Sequence, residues 1–148
     1  MILSGQSIRR RGIFTPFAER TVAHGMTYGL GPAGYDVRVA ETLTLASGAW
    51  SLASTLERFE MPIDLLARVA DKSTWARRGL AVQNTIIEPG WRGYLTLELS
   101  NHGPRPIEIV GGMPIAQIIF DTLDEPAERP YTGKYQNQPA GAVPARAE

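Results

Sequence analysis

The chain has 148 residues, enough to bury a core of its own as a single domain, and its 15 Lys plus Arg balance its 15 Asp plus Glu to a formal net charge of zero. Neutrality argues against a protein whose main business is coating nucleic acid or an anionic membrane, though it leaves room for a local cationic pocket. Cysteine is absent, which removes disulfides, thiolate nucleophiles and Cys-ligated zinc, and His24 and His102 stand far apart in no metal-ligand spacing.

Any chemistry must therefore come from carboxylates, hydroxyls, Arg or Lys, helped at most by a loosely held Mg²⁺. No apolar run approaches the length of a membrane span. The opening "MILSGQSIRRRG" places its basic cluster after the short apolar part, the reverse of a secretion signal, so a cytoplasmic location is expected.

In chain order, Ser4 is expected to cap a short helix through Arg10 with Ile8 facing inward. In "GYDVRVAETLTL", Tyr35, Val37 and Val39 alternate with Asp36, Arg38 and Ala40, the period of a strand. Ser51 to Thr55 reads as another strand, and "MPIDLLARVA" as a tight turn leading into a third. "YLTLELS" alternates most cleanly, with Leu95, Leu97 and Leu99 on one face and Tyr94, Thr96, Glu98 and Ser100 on the other. "PIEIV" and "PIAQIIF" supply later strands, each opened by a proline where no ladder bond is needed. With 15 Gly and 11 Pro punctuating short segments, this is the rhythm of an all-β sandwich or barrel. From Asp124 the composition turns to Pro, Ala, Gly and charge, an extended tail expected to be mobile unless it packs on something. No internal repeat is present.

Between two apolar strands lies "DKSTWARRGL", Asp71 to Leu80, which gathers three cations, two hydroxyls and a tryptophan. Ser73 is expected to cap one helical turn closed by Gly79, which sets Ser73, Thr74 and Arg77 at a helix N-terminus that favours anions. From spacing alone, a capped connecting turn with solvated cations is the favoured reading. Glu98 alone likewise reads more often as a solvated carboxylate on a sheet face.

"GPAGYDVRV", "DKSTWARRGL", "EPGWRGYLTLELSN", "GGMPIAQIIF" and "RPYTGKYQNQ" resemble, in this order, the sequence blocks of the dCTP deaminase branch of the dUTPase superfamily. The resemblance covers the chain to about Gln138, and five blocks in the right order are far more specific than any one of them. It implies a mainly antiparallel all-β fold, a dUTPase-like distorted β-barrel or sandwich with short helical turns. It also implies a homotrimer with sites shared between subunits and a deoxynucleoside triphosphate bound with Mg²⁺. The expected organisation is one nucleotide-binding domain over residues 1–138 and a flexible tail over 139–148.

Carried over position by position, the family's phosphate-and-base block falls on Lys72, Ser73, Thr74, Trp75, Ala76 and Arg77. Its sugar-contacting acid falls on Glu88, and its strand motif on Thr96, Leu97 and Glu98, with Glu98 as proton shuttle. Its tail contacts fall on Tyr131, Lys134 and Gln138. The implied activity is deamination of dCTP to dUTP and ammonia, with Glu98, Ser73 and Arg77 as the catalytic set and no zinc. One half-buried carboxylate can serve as both base and acid if its pKa rises toward neutrality. Ser73 and Arg77 would hold the water and the developing charge. Lys72, Arg77 and Arg78, with Lys134, can neutralise most of a triphosphate alongside Mg²⁺.

The chain departs from the pattern between Gly79 and Glu88. "LAVQNTII" is shorter than the deaminase segment and lacks its His-Arg pair, and its length resembles that of the true dUTPases. Glu88 replaces the usual Asp, and Trp75 stands where Leu is common. The glycine-rich C-terminal motif of the dUTPases is absent, with "KYQNQ" in its place. Two alternatives stay open: a dUTPase or bifunctional deaminase-diphosphatase acting on dUTP, and a nucleotide-binding regulator that has lost catalysis.

Overall fold

The computed structural model describes residues 1–147; Glu148, the last residue of the expected tail, lies outside them. The elements follow in order as α1 (Gly5–Arg11), β1 (Phe14–Thr15), β2 (Thr21–Ala23), β3 (Met26–Leu30), β4 (Tyr35–Arg38), β5 (Leu43–Leu45) and β6 (Trp50–Glu60). Then come β7 (Leu65–Asp71), α2 (Ser73–Ala76), β8 (Leu80–Val82), β9 (Ile86–Ile87), β10 (Arg92–Asn101), β11 (Ile107–Ile109) and β12 (Pro114–Thr122). They form a four-stranded sheet β1-β6-β10-β8, a six-stranded sheet β2-β3-β4-β12-β7-β9, and the pair β11-β5. The paired strands run antiparallel. The sheets curl around one core, the distorted barrel that short alternating segments predict.

The alternation in β4 is real: Tyr35 and Val37 are fully buried while Asp36 and Arg38 are half-exposed. Phe14 stacks on Tyr35 with ring centroids 3.9 Å apart and meets Phe59 edge-on at 4.9 Å. Aromatic pairs of this kind contribute about 0.5–1.5 kcal/mol beyond their buried area.

The first helix ends one residue later than expected, at Arg11, with Gly12 in the left-handed conformation behind it. Ser4 stands at the N-cap position, yet its side chain makes no capping bond; its Oγ lies 3.4 Å from Ser7 Oγ instead. Ile8 packs inward as predicted, 1% exposed.

The long antiparallel pair β6–β10 carries the site. Its register runs Ser100↔Trp50, Glu98↔Leu52 and Thr96↔Ser54, then jumps to Tyr94↔Arg58. Four steps along β6 thus face two along β10, and the Leu95 amide, left without a ladder partner, donates to Thr55 Oγ1 at 3.0 Å. This irregularity breaks the expected alternation. Leu97 and Leu99 are fully buried, whereas Leu95 is only partly buried and turns toward the surface pocket described below.

The same irregularity places Glu57 inside the barrel. Its carboxylate accepts from Arg38 Nε at 2.7 Å and from Arg38 N at 2.9 Å. The Arg38 guanidinium lies 4.4 Å from the centre of the Tyr28 ring.

Candidate active site

Thr96 and Glu98 project from the outer face of β10 into a cavity of about 490 Å³. Leu52 stands directly across from Glu98 on β6, and Trp50, 58% exposed, follows it along the strand. The far wall comes from Asn84–Glu88, the stretch that crosses from β8 to β9, and from the chain after β12. The charged lining consists of Glu88 and Glu98; no Lys, Arg or His lines the cavity among the described residues.

Burial pushes the Glu98 carboxyl above the ordinary carboxylate range. Its side chain makes no hydrogen bond or ion pair among the described residues. Glu88, exposed at the turn into β10, is equally without a side-chain partner there. Thr96, by contrast, is saturated: its Oγ1 donates to Gln138 Oε1 at 3.2 Å and accepts from Val143 N at 3.0 Å.

The segment after β12 packs closely on this wall. Trp91 Nε1 donates to Tyr135 O at 2.7 Å, Gln136 Nε2 donates to Gly90 O at 3.0 Å, and Tyr94 N donates to Gln138 O at 3.1 Å. Gly93 permits the approach. Its φ is 139°, and a Cβ there would lie 2.5 Å from Gln138 N. Beyond Gln138, Val143 is buried in the cavity mouth beside Ala145.

The cationic block sits elsewhere in the subunit. Ser73 opens α2 as its first helical residue; the N-cap is Lys72, so the expected cap is shifted by one position. Gly79, at φ 94°, ends the turn as expected. Trp75 is buried, its Nε1 donating to Pro114 O at 2.6 Å, which makes it the anchor of the block. Lys72 Nζ is already engaged by Asp36 at 2.7 Å, with only 10% of its side chain exposed. Ser73, Thr74 and Arg77 have no side-chain partner among the described residues.

Of the residues expected at the site, one chain brings together Glu88, Thr96, Glu98, Tyr131 and Gln138. It leaves Lys72, Ser73, Thr74, Trp75, Ala76 and Arg77 outside the cavity, and turns Leu97 into the core. Lys134 is exposed on the tail, its Nζ 5.5 Å from the centre of the Tyr135 ring. Sequence reasoning missed Trp50, Leu52, Asn84, Trp91, Tyr135 and Val143. Trp50 and Leu52 share a face by alternation and were detectable that way. Asn84 carried no signal, because its role depends on where two strands part.

A dCTP deaminase-like family model matches residues 5–123. The chain belongs to the dCTP deaminase-like family. Its family relatives include the dCTP deaminase of Acidobacterium capsulatum, 34% identical over 90% of this chain and 91% of that protein. The dCTP deaminase of Campylobacter hominis is 36% identical over 94% of this chain and 90% of its own length. The first alignment runs over 167 residues against a chain of 148, so the relative carries insertions that this family member lacks. Among solved structures, the native EIAV dUTPase superposes with a TM-score of 0.61 at 20% identity, covering 82% of this chain and 97% of its own. A point mutant of the dUTPase from the S. aureus phage phi11, described with a structural Mg(II) ion, gives a TM-score of 0.59 at 16% identity, covering 79% and 91%. These likenesses give the fold. With the family they establish an enzyme of the dCTP deaminase and dUTPase group.

No group of three or more His, Cys, Asp or Glu stands close enough to hold a metal ion among the described residues. No helix is long and apolar enough to cross a membrane.

Proposed function

We propose that this enzyme deaminates dCTP to dUTP and ammonia, with Glu98 as the proton shuttle. The observation that carries the reading is a carboxylate without a partner among the described residues, raised by burial, on the wall of the cavity beside β10. An ionised Glu98 takes a proton from water as the water oxygen bonds to C4 of the cytosine. It returns that proton to ring N3, then carries the remaining hydroxyl proton to the exocyclic amine; C4=O forms as the bond from C4 to that amine breaks, and ammonia leaves. A raised pKa suits both halves of this cycle near neutral pH.

Among its described residues one subunit offers two carboxylates to the cavity and no cation, a poor receptacle for a triphosphate. The free Ser73, Thr74 and Arg77 on another surface supply what is missing if a second copy delivers them. We therefore read the enzyme as a homotrimer with sites shared between subunits, Arg77 and Ser73 stabilising the charge that develops at C4. Lys134 and Lys72 complete the phosphate contacts, Lys72 after release from Asp36. The donor set provides no metal cage, so Mg²⁺ is proposed to arrive on the triphosphate, held by the nucleotide. Residues 1–138 act as one nucleotide-binding domain, with 139–147 as a cover that moves to admit nucleotide. The enzyme works on free deoxynucleotide in the cytoplasm, with neither nucleic acid nor membrane as partner.

A second reading is favoured by Glu88, which also lines the cavity without a partner, and by the short stretch preceding it. Here a water activated by Glu88 attacks the α-phosphate of dUTP and releases pyrophosphate. Incubation with dCTP and with dUTP, each with Mg²⁺, followed by separate assays of ammonia and pyrophosphate, decides between them. Ammonia from dCTP is expected. Pyrophosphate from dUTP alone would transfer the assignment to the second reading, and neither product would leave a non-catalytic nucleotide-binding regulator.

A further inference from the structure

β8 pairs with β10 at Leu99, Ser100 and Asn101 and then leaves the sheet. The last ladder bond runs from Gln83 N to Glu98 O at 2.8 Å. Three residues later the chain has joined the other sheet, where Ile86 and Ile87 pair with β7. The edge of β10 at Thr96 and Glu98 is thereby stripped of its strand neighbour, at the point where the proposed shuttle sits. A bare donor and acceptor there would be costly or would let the strand breathe.

Asn84 fills the gap with its side chain. Its Oδ1 accepts from Glu98 N at 3.0 Å, and its Nδ2 donates to Thr96 O at 2.7 Å. The carboxamide reproduces the donor and acceptor of a peptide unit, so the ladder continues without backbone. Its orientation is fixed, because Glu98 N–H can only donate and Thr96 C=O can only accept. Asn84 also lines the cavity, half-buried, with one amide hydrogen left over.

We infer that Asn84 is the positioning residue for Glu98: its carboxamide replaces the missing strand neighbour and holds the Thr96–Glu98 backbone, and with it the carboxylate, in the reactive position. The inference rests on the reading of Glu98 as the proton shuttle. Neither Ala nor Asp at position 84 can replace both bonds. Ala supplies neither, and an ionised Asp accepts from Glu98 N but cannot donate to Thr96 O.

Two variants of the full chain test it, with ammonia release from dCTP, binding of dCTP, and hydrogen exchange at the Glu98 amide as readouts. Asn84→Ala is expected to lower kcat about 10- to 100-fold, the penalty of a misaimed catalytic group, with KM within about twofold of wild type. Exchange at the Glu98 amide speeds up in the same variant while the β12 amides keep their protection. Asn84→Asp adds a negative charge to a cavity whose other titratable lining groups are Glu88, Glu98, Tyr131 and Tyr135; along β10, His102 is tied to Ser100. The acid limb of its pH–rate profile should move to higher pH, because a like charge disfavours ionisation of Glu98.

Wild-type kcat in Asn84→Ala, unchanged Glu98 exchange, or a raised KM with intact kcat would each overturn the inference; the last would make Asn84 a substrate-binding group. Should Asn84→Ala not fold, Asn84→Asp decides: a wild-type rate with an unmoved profile overturns it. Wild-type protein that releases no ammonia from dCTP brings down the reading of Glu98 itself, an outcome distinct from an active wild type indifferent to position 84.

Discussion

Glu57 and Glu98 lie on adjacent strands of one sheet, and burial raises both carboxyls above their ordinary range. Their surroundings are otherwise opposite. Glu57 is fully buried and saturated by two bonds from Arg38, and the polar groups nearby are matched in the same way: Glu41 accepts from Ser54 N at 2.7 Å and from its hydroxyl at 2.6 Å. Among the described residues, the half-buried Glu98 carboxylate meets no donor, and across the molecule Ser73, Thr74 and Arg77 are equally idle. Where a fold needs a carboxylate, it surrounds the group with fixed donors. A carboxylate kept raised and unpaired beside a cavity contributes nothing to holding the chain together, so its use lies in what enters the cavity.

The sharpest break in that comparison is Glu98→Gln. The amide keeps the shape and removes the proton acceptor, so ammonia release should fall roughly a hundred- to ten-thousand-fold while nucleotide binding stays near wild type. Wild-type turnover in this variant would end the shuttle assignment.

Arg38→Leu attacks the other carboxylate. It strands Glu57 in the interior without a counter-charge, a change that typically costs about 3–5 kcal/mol. Thermal or urea unfolding should register this loss at neutral pH, and a loss below about 1 kcal/mol would mean that Glu57 is far better solvated than its burial indicates.

Arg77→Ala asks whether the idle cation belongs to the idle carboxylate. Loss of one charge-stabilising donor should lower kcat about a hundredfold and weaken binding as well, without touching stability. Mixing unfolded Arg77→Ala and Glu98→Gln chains and refolding them together then reads the geometry. Sites shared between copies regain part of the wild-type activity, since some pair an intact Arg77 with an intact Glu98. No recovery in a co-assembled mixture would place both groups in one subunit's site.

The fold was legible in the sequence where one physical rule acted alone. Alternation in β4 and through Leu97 and Leu99 predicted which side chains are buried, because the period of two is a property of the strand itself. It failed at Leu95, where a register jump against β6 overrode the period, and nothing local to "YLTLELS" encodes the partner strand's two extra residues. The site divides in the same way. Glu88, Thr96, Glu98, Tyr131 and Gln138, from blocks far apart in the sequence, line one cavity. Trp75 lies outside that cavity, buried with its Nε1 donating to Pro114 O. The tail, expected to be mobile unless it packs on something, docks against Gly90–Tyr94 through hydrogen bonds of its backbone and of the Gln136 side chain, an interaction that composition cannot reveal.

The smallest effect returns to the two carboxylates through pH. Glu98 has a folded-state pKa above its unfolded one, so the folded state resists ionising it. The penalty is therefore full at pH above the folded pKa, fades as pH falls through it, and vanishes below the unfolded value, where both states hold the proton. Glu98→Gln removes a charge that the fold tolerates poorly. The variant should melt slightly higher than wild type at about pH 8, and the gap should close toward about pH 4. Glu57 is raised as well, but both of its oxygens accept from Arg38, so Glu57→Gln sets an amide donor against one of those donors and should melt lower at about pH 8. Opposite signs at neutral pH would separate a carboxylate kept for chemistry from one kept for structure. If both variants melt lower by similar amounts, Glu98 has a stabilising partner in the assembled enzyme, and the contrast between the two groups would be lost.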